Sequence, residues 1–300
     1  MQSQAISLSI ALTSAAAGYA LVAKGVRWPV DALSKVLLWF SIPYTVVYSV
    51  LTSDLTSVAI TASVAAVAIG SAFPLSYMVF VKLLRLDPRA AGSAVFASAL
   101  GNTAFLPIPL MVFVLGDASP AGIYSSIQSL VAAIAVPLTA GYVLRSNGDG
   151  ASVISSMLRF PPAIALITSA IVRAVWGPMP WLPDAFAHLT NANSYLMLLS
   201  MAVVGASFHG IRSLRPSRTA LAIMVFRAAY FPAVHAVALA TLPLSGVWFW
   251  GLVIEAVTPP ATMSIIYSWH YGFRTDDVAV AIAYLTPATV GLAAATALLS

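Results

Sequence analysis

The chain has 300 residues, of which 60% are hydrophobic and only 8% are charged. A soluble domain carries roughly 25% charged residues, so this composition excludes an ordinary water-soluble protein and predicts an integral membrane protein. The formal charge of +5 does not indicate a nucleic-acid partner because the basic residues are dispersed over short loops, and the absence of cysteine excludes disulfides, thiolate metal sites and cysteine nucleophiles.

Apolar runs separated by turn residues predict ten membrane-spanning helices. Each span needs about 20 mostly apolar residues, and the connections leave no room for a soluble domain. In chain order the predicted spans are 5–23, 30–51, 57–82, 90–115, 122–144, 160–175, 185–208, 218–242, 247–271 and 277–299. The residues before the first span lack the basic segment of a cleaved secretory signal, so we expect that span to be retained. The predicted class is an all-α polytopic membrane protein.

The basic residues alternate between the connections of these spans. Twelve of the 14 Lys and Arg residues fall at odd-numbered connections, whereas even-numbered connections hold only Arg173, and Arg227 lies inside span eight. Because cytoplasmic loops collect Lys and Arg, the alternation predicts that odd-numbered connections are cytoplasmic. We therefore expect a multi-pass protein of the cell membrane with both termini outside and the connection from Ser146 to Ser152 inside.

A short repeat divides the chain into two halves. The pattern W-x-x-D-A occurs at Trp28–Ala32 and again at Trp181–Ala185, 153 positions later, and the same offset carries Pro107 onto Pro260. The halves, residues 1–145 and 146–300, then hold five spans each. An odd number of spans inverts the second half relative to the first, as in many secondary transporters.

Prolines interrupt spans four and nine. Span four contains Gly101–Pro109 (GNTAFLPIP), and span nine contains Glu255–Pro260 (EAVTPP). Each proline removes a backbone donor and clashes with the preceding turn, so a pair of prolines unwinds the helix locally. Corresponding interruptions in two halves point to a substrate site near the bilayer midplane. The simpler alternative is that these prolines only kink their helices.

These segments resemble those of a known family. Ala99–Pro107 (ALGNTAFLP), followed by Leu115-Gly116-Asp117, resembles the fourth-helix motif of the auxin efflux carrier family. The stretch Glu255–Phe273 with Leu285-Thr286 resembles that family's ninth and tenth helices, and Ile42-Pro43 resembles the proline of its second helix. The short connection between the halves is similar to that of prokaryotic members, which are associated with dicarboxylates such as malate or malonate.

The resemblance implies an architecture and an activity. Helices one, two, six and seven would form a scaffold, and helices three to five and eight to ten a mobile transport domain in which helices four and nine cross. The implied activity is secondary active transport, by elevator-type alternating access, of a small organic anion such as a carboxylate, coupled to a cation or proton gradient. A bile-acid-type sodium symporter, which shares this architecture, and a channel or receptor-like membrane protein are the alternatives.

Polar and proline residues near the two breaks are the candidates for substrate binding. Asn102 and Thr103 offer an amide and a hydroxyl, and the N-termini of half-helices add partial positive charge that suits an anion. Simple helix packing is the alternative role for these side chains. The full candidate set is Asn102, Thr103, Pro107, Pro109, Gln128, Thr258, Pro259 and Pro260.

Glu255 is the only carboxylate predicted deep within a span. An ionised and unpaired carboxylate at that depth is costly, so we expect Glu255 to be protonated, ion-bound or paired. It is our candidate for holding the coupling ion, Na⁺ or H⁺, and a structural ion pair with Arg227 is the alternative. Arg227 itself either snorkels to the membrane edge or binds substrate. His235, two turns further along span eight, is either a proton relay or a structural residue.

No pattern in the sequence indicates an enzyme. The chain has no nucleotide-binding glycine motif, no HExxH and no convincing Ser/His/Asp set. Its histidines lack metal-ligand spacing, and its tryptophans cluster at span ends as in an interfacial belt. We therefore expect no catalytic residue, no metal and no cofactor. The expected partners are a small organic anion and the lipid bilayer, without nucleic acid, and a homodimer is left open.

Overall fold

The computed structural model describes residues 2–26, 30–144, 161–185, 187–207 and 215–299. These ranges form helices and no β-strand, which confirms the all-helical class. The helices are α1 (Gln2–Ala23), α2 (Val30–Val36), α3 (Ile42–Thr52), α4 (Leu55–Tyr77), α5 (Pro88–Ala99), α6 (Pro107–Leu115), α7 (Ser119–Leu144), α8 (Pro161–Trp176), α9 (Leu182–Ala185), α10 (Ala187–Ser207), α11 (Arg218–Thr241), α12 (Gly246–Ala256), α13 (Thr262–His270) and α14 (Asp276–Leu299).

Several of these helices have the length and composition of membrane spans. Four described stretches are long and apolar enough to cross a bilayer, namely Leu55–Leu83, Ser119–Val143, Arg218–Thr241 and Asp276–Thr296. Shorter apolar helices accompany them, among them Pro161–Trp176 and Gly246–Ala256. Two π-helical turns, Leu37–Ser41 and Met78–Leu83, join α2 to α3 and extend α4. The predicted connection Ser146–Ser152 and the first W-x-x-D-A copy at Trp28 lie outside the described residues.

Side chains in the connections determine where several helices begin. Asp54 caps α4 by accepting from the Ser57 N–H at 2.8 Å. This bond lowers the pKa of the exposed Asp54 carboxyl. Asp87 accepts from two N–H groups at the start of α5, and Ser217 caps α11 in the same way. Each cap satisfies backbone donors that the first helical turn leaves unpaired, so these polar residues stop one span and start the next.

Several pairs of helices pack closely. Helix α1 lies along α10, and α3 packs on α8. A Cβ added at Gly18 would collide with the Ala202 carbonyl, and one at Gly205 with the Ala15 carbonyl, so small residues permit the close α1–α10 contact. A separate apolar core, with Phe80, Phe96 and Phe231 among its members, is built from α4, α5, α7, α11, α12 and α14.

Contacts between connections sort the helix ends into two groups. At one end, the Met179 N–H donates to the Leu51 carbonyl at 2.8 Å, and the hydroxyls of Ser53 and Ser119 are 3.4 Å apart. The connections before α4, before α7 and after α8 therefore meet. At the far end of α4, the Arg274 N–H donates to the Arg89 carbonyl at 3.2 Å. The connections before α5 and before α14 therefore meet at the opposite end.

Candidate functional site

The predicted proline-containing segments are interrupted in the structure. In the first segment, helical structure ends at Ala99 and resumes at Pro107 as α6. In the second, it ends at Ala256 and resumes at Thr262 as α13. The non-helical stretches 100–106 and 257–261 lie against each other, and we call this contact the crossover. The prolines do more than kink these helices, because each break leaves backbone groups that a continuous helix would have paired.

Backbone hydrogen bonds hold the crossover together. Gly101 and Pro260 face each other in an isolated antiparallel β-bridge. The two bonds run from Asn102 N to Pro259 O at 2.8 Å and from Ala261 N to Leu100 O at 2.9 Å. Each unwound segment thus satisfies polar backbone groups of the other, which is required where no water is at hand.

Gln128 of α7 pairs with the same glycine. Its Nε2 donates to the Gly101 carbonyl at 2.7 Å, and its Oε1 accepts from the Gly101 N–H at 2.8 Å. The glycine is required here, because an added Cβ would lie 2.7 Å from Thr258 Oγ1 and 2.8 Å from Arg227 Nη2. The amide of Gln128 therefore positions the backbone at the crossover from a third helix.

Arg227 of α11 joins the ends of two half-helices. Its Nη1 donates to the Ser98 carbonyl at 3.0 Å, and its Nε and Nη2 donate to the Thr258 carbonyl at 3.0 and 2.8 Å. Nη2 also donates to Thr258 Oγ1 at 3.1 Å. The Ser98 carbonyl lies in the last turn of α5 and the Thr258 carbonyl lies two residues after α12, and the guanidinium offsets the partial negative charge at these helix ends. Arg227 is only 2% exposed, so it does not snorkel to the membrane edge.

A cavity of about 180 Å³ lies beside the crossover. The described residues of its lining include no charged side chain, and the polar ones are Asn102, Thr103, Ser125, Gln128, Ser129, Thr262 and Tyr267. Asn102 is 93% buried, and its amide forms no hydrogen bond with any residue that the structure describes. Thr262 begins α13, whose first N–H groups have no partner within the helix. Neutral donors and a helix N-terminus therefore meet at one small cavity.

The predicted substrate-binding residues separate into two groups. Asn102, Thr103 and Gln128 line the cavity. The other five are absent from its described lining and build the structure around it. Thr258 binds Arg227, Pro259 and Pro260 take part in the crossover bonds, and Pro107 and Pro109 begin α6.

Four polar residues of the cavity lining were not among the residues predicted from the sequence. Ser125 and Ser129 of α7 lie three positions before and one after Gln128, and their i, i+4 spacing places them on one helix face. This spacing in the sequence could have predicted that both serines lie near Gln128 in the site. Thr262 and Tyr267 lie on α13 just after the second break, where only the crossing geometry brings them to the cavity.

Glu255 is completely buried in the last turn of α12. Neither carboxyl oxygen has a hydrogen-bond partner among the described residues. The one ion pair within the described ranges joins Arg274 to Asp87 at 4.0 Å, so the alternative pair between Glu255 and Arg227 is not formed in this structure. His235 is also completely buried, and its Nδ1 lies 2.8 Å from the Phe231 carbonyl.

Comparison with known proteins gives two matches. A family model described as membrane transport protein matches residues 13–288, a range that includes the crossover and the lining of the cavity. An uncharacterized transporter of Methanocaldococcus jannaschii is 22% identical over 219 residues, which cover 69% of this chain and 68% of the relative.

Proposed function

Because this chain belongs to the membrane transport protein family, we propose that it is a secondary active transporter of a small organic anion such as a carboxylate. The family match over residues 13–288 confirms the resemblance to auxin efflux carriers that the motifs indicated. It also supports a multi-pass membrane protein and a transport activity in place of an enzymatic one. The substrate, the elevator-type mechanism and the coupling ion are our proposal.

The observation that carries the substrate class is the side-chain amide of Asn102, which lines the cavity beside the N-terminus of α13 and makes no hydrogen bond with the described residues. Backbone N–H groups at a helix start attract anions, and an amide and hydroxyls add neutral donors. A carboxylate is the organic group that best uses such donors without a charged partner. The cavity of about 180 Å³ is smaller than the roughly 300–1,000 Å³ of sites for drug-sized ligands, which favours a small anion over a bile acid.

We propose ten spans in two inverted repeats, residues 1–145 and 146–300. Each predicted span overlaps a described helix, although spans two, four and nine consist of more than one helical piece. The paired interruptions, one in each half, support the repeat because they meet at one crossover. The alternating contacts of the connections support the topology, since connections two, four and six meet at one end and connections three and nine at the other.

We also propose a scaffold of spans one, two, six and seven and a transport domain of spans three to five and eight to ten. The packing of α1 on α10 and of α3 on α8 supports the scaffold. The apolar core that α4, α5, α7, α11, α12 and α14 share supports the transport domain. In elevator-type alternating access, this second group would move against the first and carry the crossover with its cavity.

Orientation and coupling complete the proposal. Both termini are proposed to face outside, because the basic residues concentrate at the odd-numbered connections. Glu255 is proposed to hold the coupling ion, Na⁺ or H⁺, because its buried carboxyl has no hydrogen-bond partner among the described residues. Coupled transport requires that the binding of substrate and the binding of the ion influence each other. Glu255 is placed for this, because it lies three residues before Thr258 of the crossover.

Counterflow in proteoliposomes tests the proposed function. Vesicles loaded with unlabelled malate or malonate should transiently accumulate the same radiolabelled dicarboxylate, and the uptake should saturate. Asn102→Ala should reduce this exchange at least tenfold, whereas Asn191→Ala, at an exposed position of α10, should leave it unchanged. Uptake that does not saturate and shows no counterflow would favour a channel, and taurocholate exchange without malate or malonate exchange would favour the bile-acid alternative.

A further inference from the structure

Several buried polar side chains outside the substrate cavity have atoms without a hydrogen-bond partner in the described part of the chain, and three of these side chains lie on α7, α11 and α12. The atoms of these three are both carboxyl oxygens of Glu255, the hydroxyl of Tyr124 and Nε2 of His235. Glu255 and His235 are completely buried, and Tyr124 is 1% exposed. None of the three lines the cavity. Unpaired buried polar atoms are rare in folded proteins, so several in one region require an explanation.

The three side chains come from three helices and form one group, which we call the Glu255 cluster. The ring of Tyr124 on α7 stacks on the ring of His235 on α11, with centroids 5.6 Å apart and planes tilted by 27°. Glu255 lies on α12, which packs against both α7 and α11. Helix α12 therefore contacts both helices that carry the stacked rings.

Hydrogen bonds determine the state of two neighbouring groups. Nδ1 of His235 faces the Phe231 carbonyl at 2.8 Å, and a carbonyl only accepts, so Nδ1 carries a hydrogen and Nε2 of the neutral ring is an acceptor. Arg227 donates to Ser98 and Thr258 and makes no hydrogen bond to Glu255 among the described contacts. Glu255 also lies at the C-terminal end of α12, where partial negative charge disfavours a carboxylate.

The helices packed against α12 contribute few other titratable groups. Helix α6 has none, whereas Tyr124 lies on α7 and Arg227 lies on α11. The titratable residues on the remaining helices packed against α12 are Tyr77 on α4, Tyr142 on α7, Arg218, Tyr230 and His235 on α11, and Asp276, Asp277 and Tyr284 on α14. Asp276 and Asp277, in the first turn of α14, are the acidic residues of this set.

We propose that the Glu255 cluster binds one exchangeable proton and that this proton is the coupling ion of the transporter. Binding forms one O–H bond on the Glu255 carboxylate and gives a neutral carboxylic acid, and release returns the proton to water. Tyr124 and His235 contribute the other unpaired polar atoms of the cluster in the described part of the chain. The inference rests on the proposed function and narrows its cation to H⁺.

The chemistry of the cluster favours a proton over Na⁺. Hard cations take several oxygen ligands, whereas the cluster offers a phenol, an imidazole nitrogen and one carboxyl group. The nearby carbonyls of Glu255 and Thr258 already accept hydrogen bonds, from Thr258 and Arg227 respectively. The permanent charge of Arg227 adds repulsion for a second cation. A proton needs only one oxygen and leaves the buried carboxyl uncharged.

The sequence allows a direct test because Glu255 is the only glutamate in the chain. Protein made by cell-free synthesis with glutamate labelled with ¹³C at Cδ carries one labelled glutamate carboxyl group. In lipid bilayers at pH 7 its NMR or infrared signal should be that of a protonated acid, should convert to carboxylate at alkaline pH, and should not respond to Na⁺. Glu255→Gln made with the same label serves as the blank.

A second variant tests the cluster as a unit. Tyr124→Phe should shift the pH midpoint of the Glu255 signal, because it removes the buried hydroxyl of the cluster. Tyr142→Phe is the matched control on the same helix, since Tyr142 is 71% exposed, and it should leave the midpoint unchanged. A carboxylate signal at pH 7, a response to Na⁺, or equal midpoints in both variants would overturn the proposal.

Transport measurements separate this inference from the proposed function. With malate or malonate as probe, a pH gradient should drive accumulation in wild-type vesicles, and Glu255→Gln should lose it. If counterflow is absent but the labelled carboxyl titrates as expected, the transport proposal fails and the proton site stands. If counterflow occurs and accumulation follows a Na⁺ gradient without a pH gradient, the proton site fails and the transport proposal stands.

Discussion

Gln128 holds the backbone of Gly101 through both atoms of its side-chain amide, at 2.7 and 2.8 Å. The pairing imitates the hydrogen bonding of a neighbouring β-strand, and it comes from a helix that takes no part in the backbone bonds of the crossover. An unwound segment would otherwise have one donor and one acceptor without partners. The relationship makes α7 a third support of the site, together with α5 and α12.

Gln128→Leu should destabilise the protein, because it leaves the Gly101 N–H and carbonyl unpaired at a cost of about 1–3 kcal/mol each. The stability of the Gln128→Glu variant should depend on pH in the sense opposite to that which most carboxylates cause. Its protonated form can still donate to the Gly101 carbonyl, whereas its ionised form repels that oxygen, so stability should rise as pH falls. Melting temperatures from pH 5 to pH 8 test this, and a flat profile for the Glu variant would contradict the pairing.

Arg227→Met should destabilise the protein by about 3 kcal/mol or more, because hydrogen bonds from a charged group contribute about 1.5–3 kcal/mol each. Arg227→Lys should recover only part of this loss, since one ammonium group cannot reproduce the planar set of donors that reaches Ser98 and Thr258. Arg218→Met, at an exposed position of the same helix, is the matched control. Equal melting temperatures for the variants at positions 227 and 218 would contradict the conclusion that Arg227 stabilises the structure by binding the Ser98 and Thr258 carbonyls.

Gly101→Ala should abolish transport, because its Cβ would lie 2.7 Å from Thr258 Oγ1 and force the two segments apart. Gly291→Ala on α14 is the control, since its Cβ meets no atom within 4 Å. In a helix interior, alanine in place of glycine should be neutral or stabilise by up to about 1 kcal/mol. Malate or malonate counterflow and the amount of folded protein are the measurements. Normal exchange by Gly101→Ala would exclude the close packing.

Pro260→Ala should insert normally and lose exchange, because the restored N–H allows α12 to continue towards α13 and removes the Gly101–Pro260 bridge. Pro287→Ala is the control, because Pro287 is exposed and lies inside the continuous helix α14. This proline removes one backbone hydrogen bond of the helix without breaking the helix. Counterflow should separate the two variants at equal expression. Wild-type exchange by Pro260→Ala would contradict a functional break.

Cysteine labelling should determine orientation in a chain without native thiols. Thr56 and Leu84 lie near the two ends of the α4 stretch, at exposed positions. With the termini outside, an impermeant maleimide added to intact cells should label Thr56→Cys and leave Leu84→Cys unlabelled. Permeabilised cells should label both. The reverse pattern would invert the proposed topology.

The sequence was sufficient to predict the breaks but not their contacts. Paired prolines predict unwinding from local sterics alone, and the helices do stop at Ala99 and Ala256. The repeat offset matched Pro107 with Pro260, whereas the structure bridges Pro260 to Gly101. Equivalent positions in two halves need not touch, because contact depends on the angle at which the segments cross.

Arg227 illustrates the other limit of sequence reasoning. Its position inside a span was clear, but its partners lie 129 and 31 residues away in the chain. They are also main-chain carbonyls, which have no side-chain identity that a pattern search could detect. The cavity residues Thr262 and Tyr267 were missed for a related reason, since α13 carries them to the site only after the break redirects it.

The backbone bonds between Leu100–Asn102 and Pro259–Ala261 limit how the sequence of each half can change during evolution. A single inserted or deleted residue in either stretch would put both bonds out of register at once. The two halves of the chain are therefore not interchangeable parts. A chimera that joins the first half of one transporter to the second half of a related one should transport only if the two breaks still match in geometry. Changes that alter one break should therefore be accompanied by compensating changes in the other half.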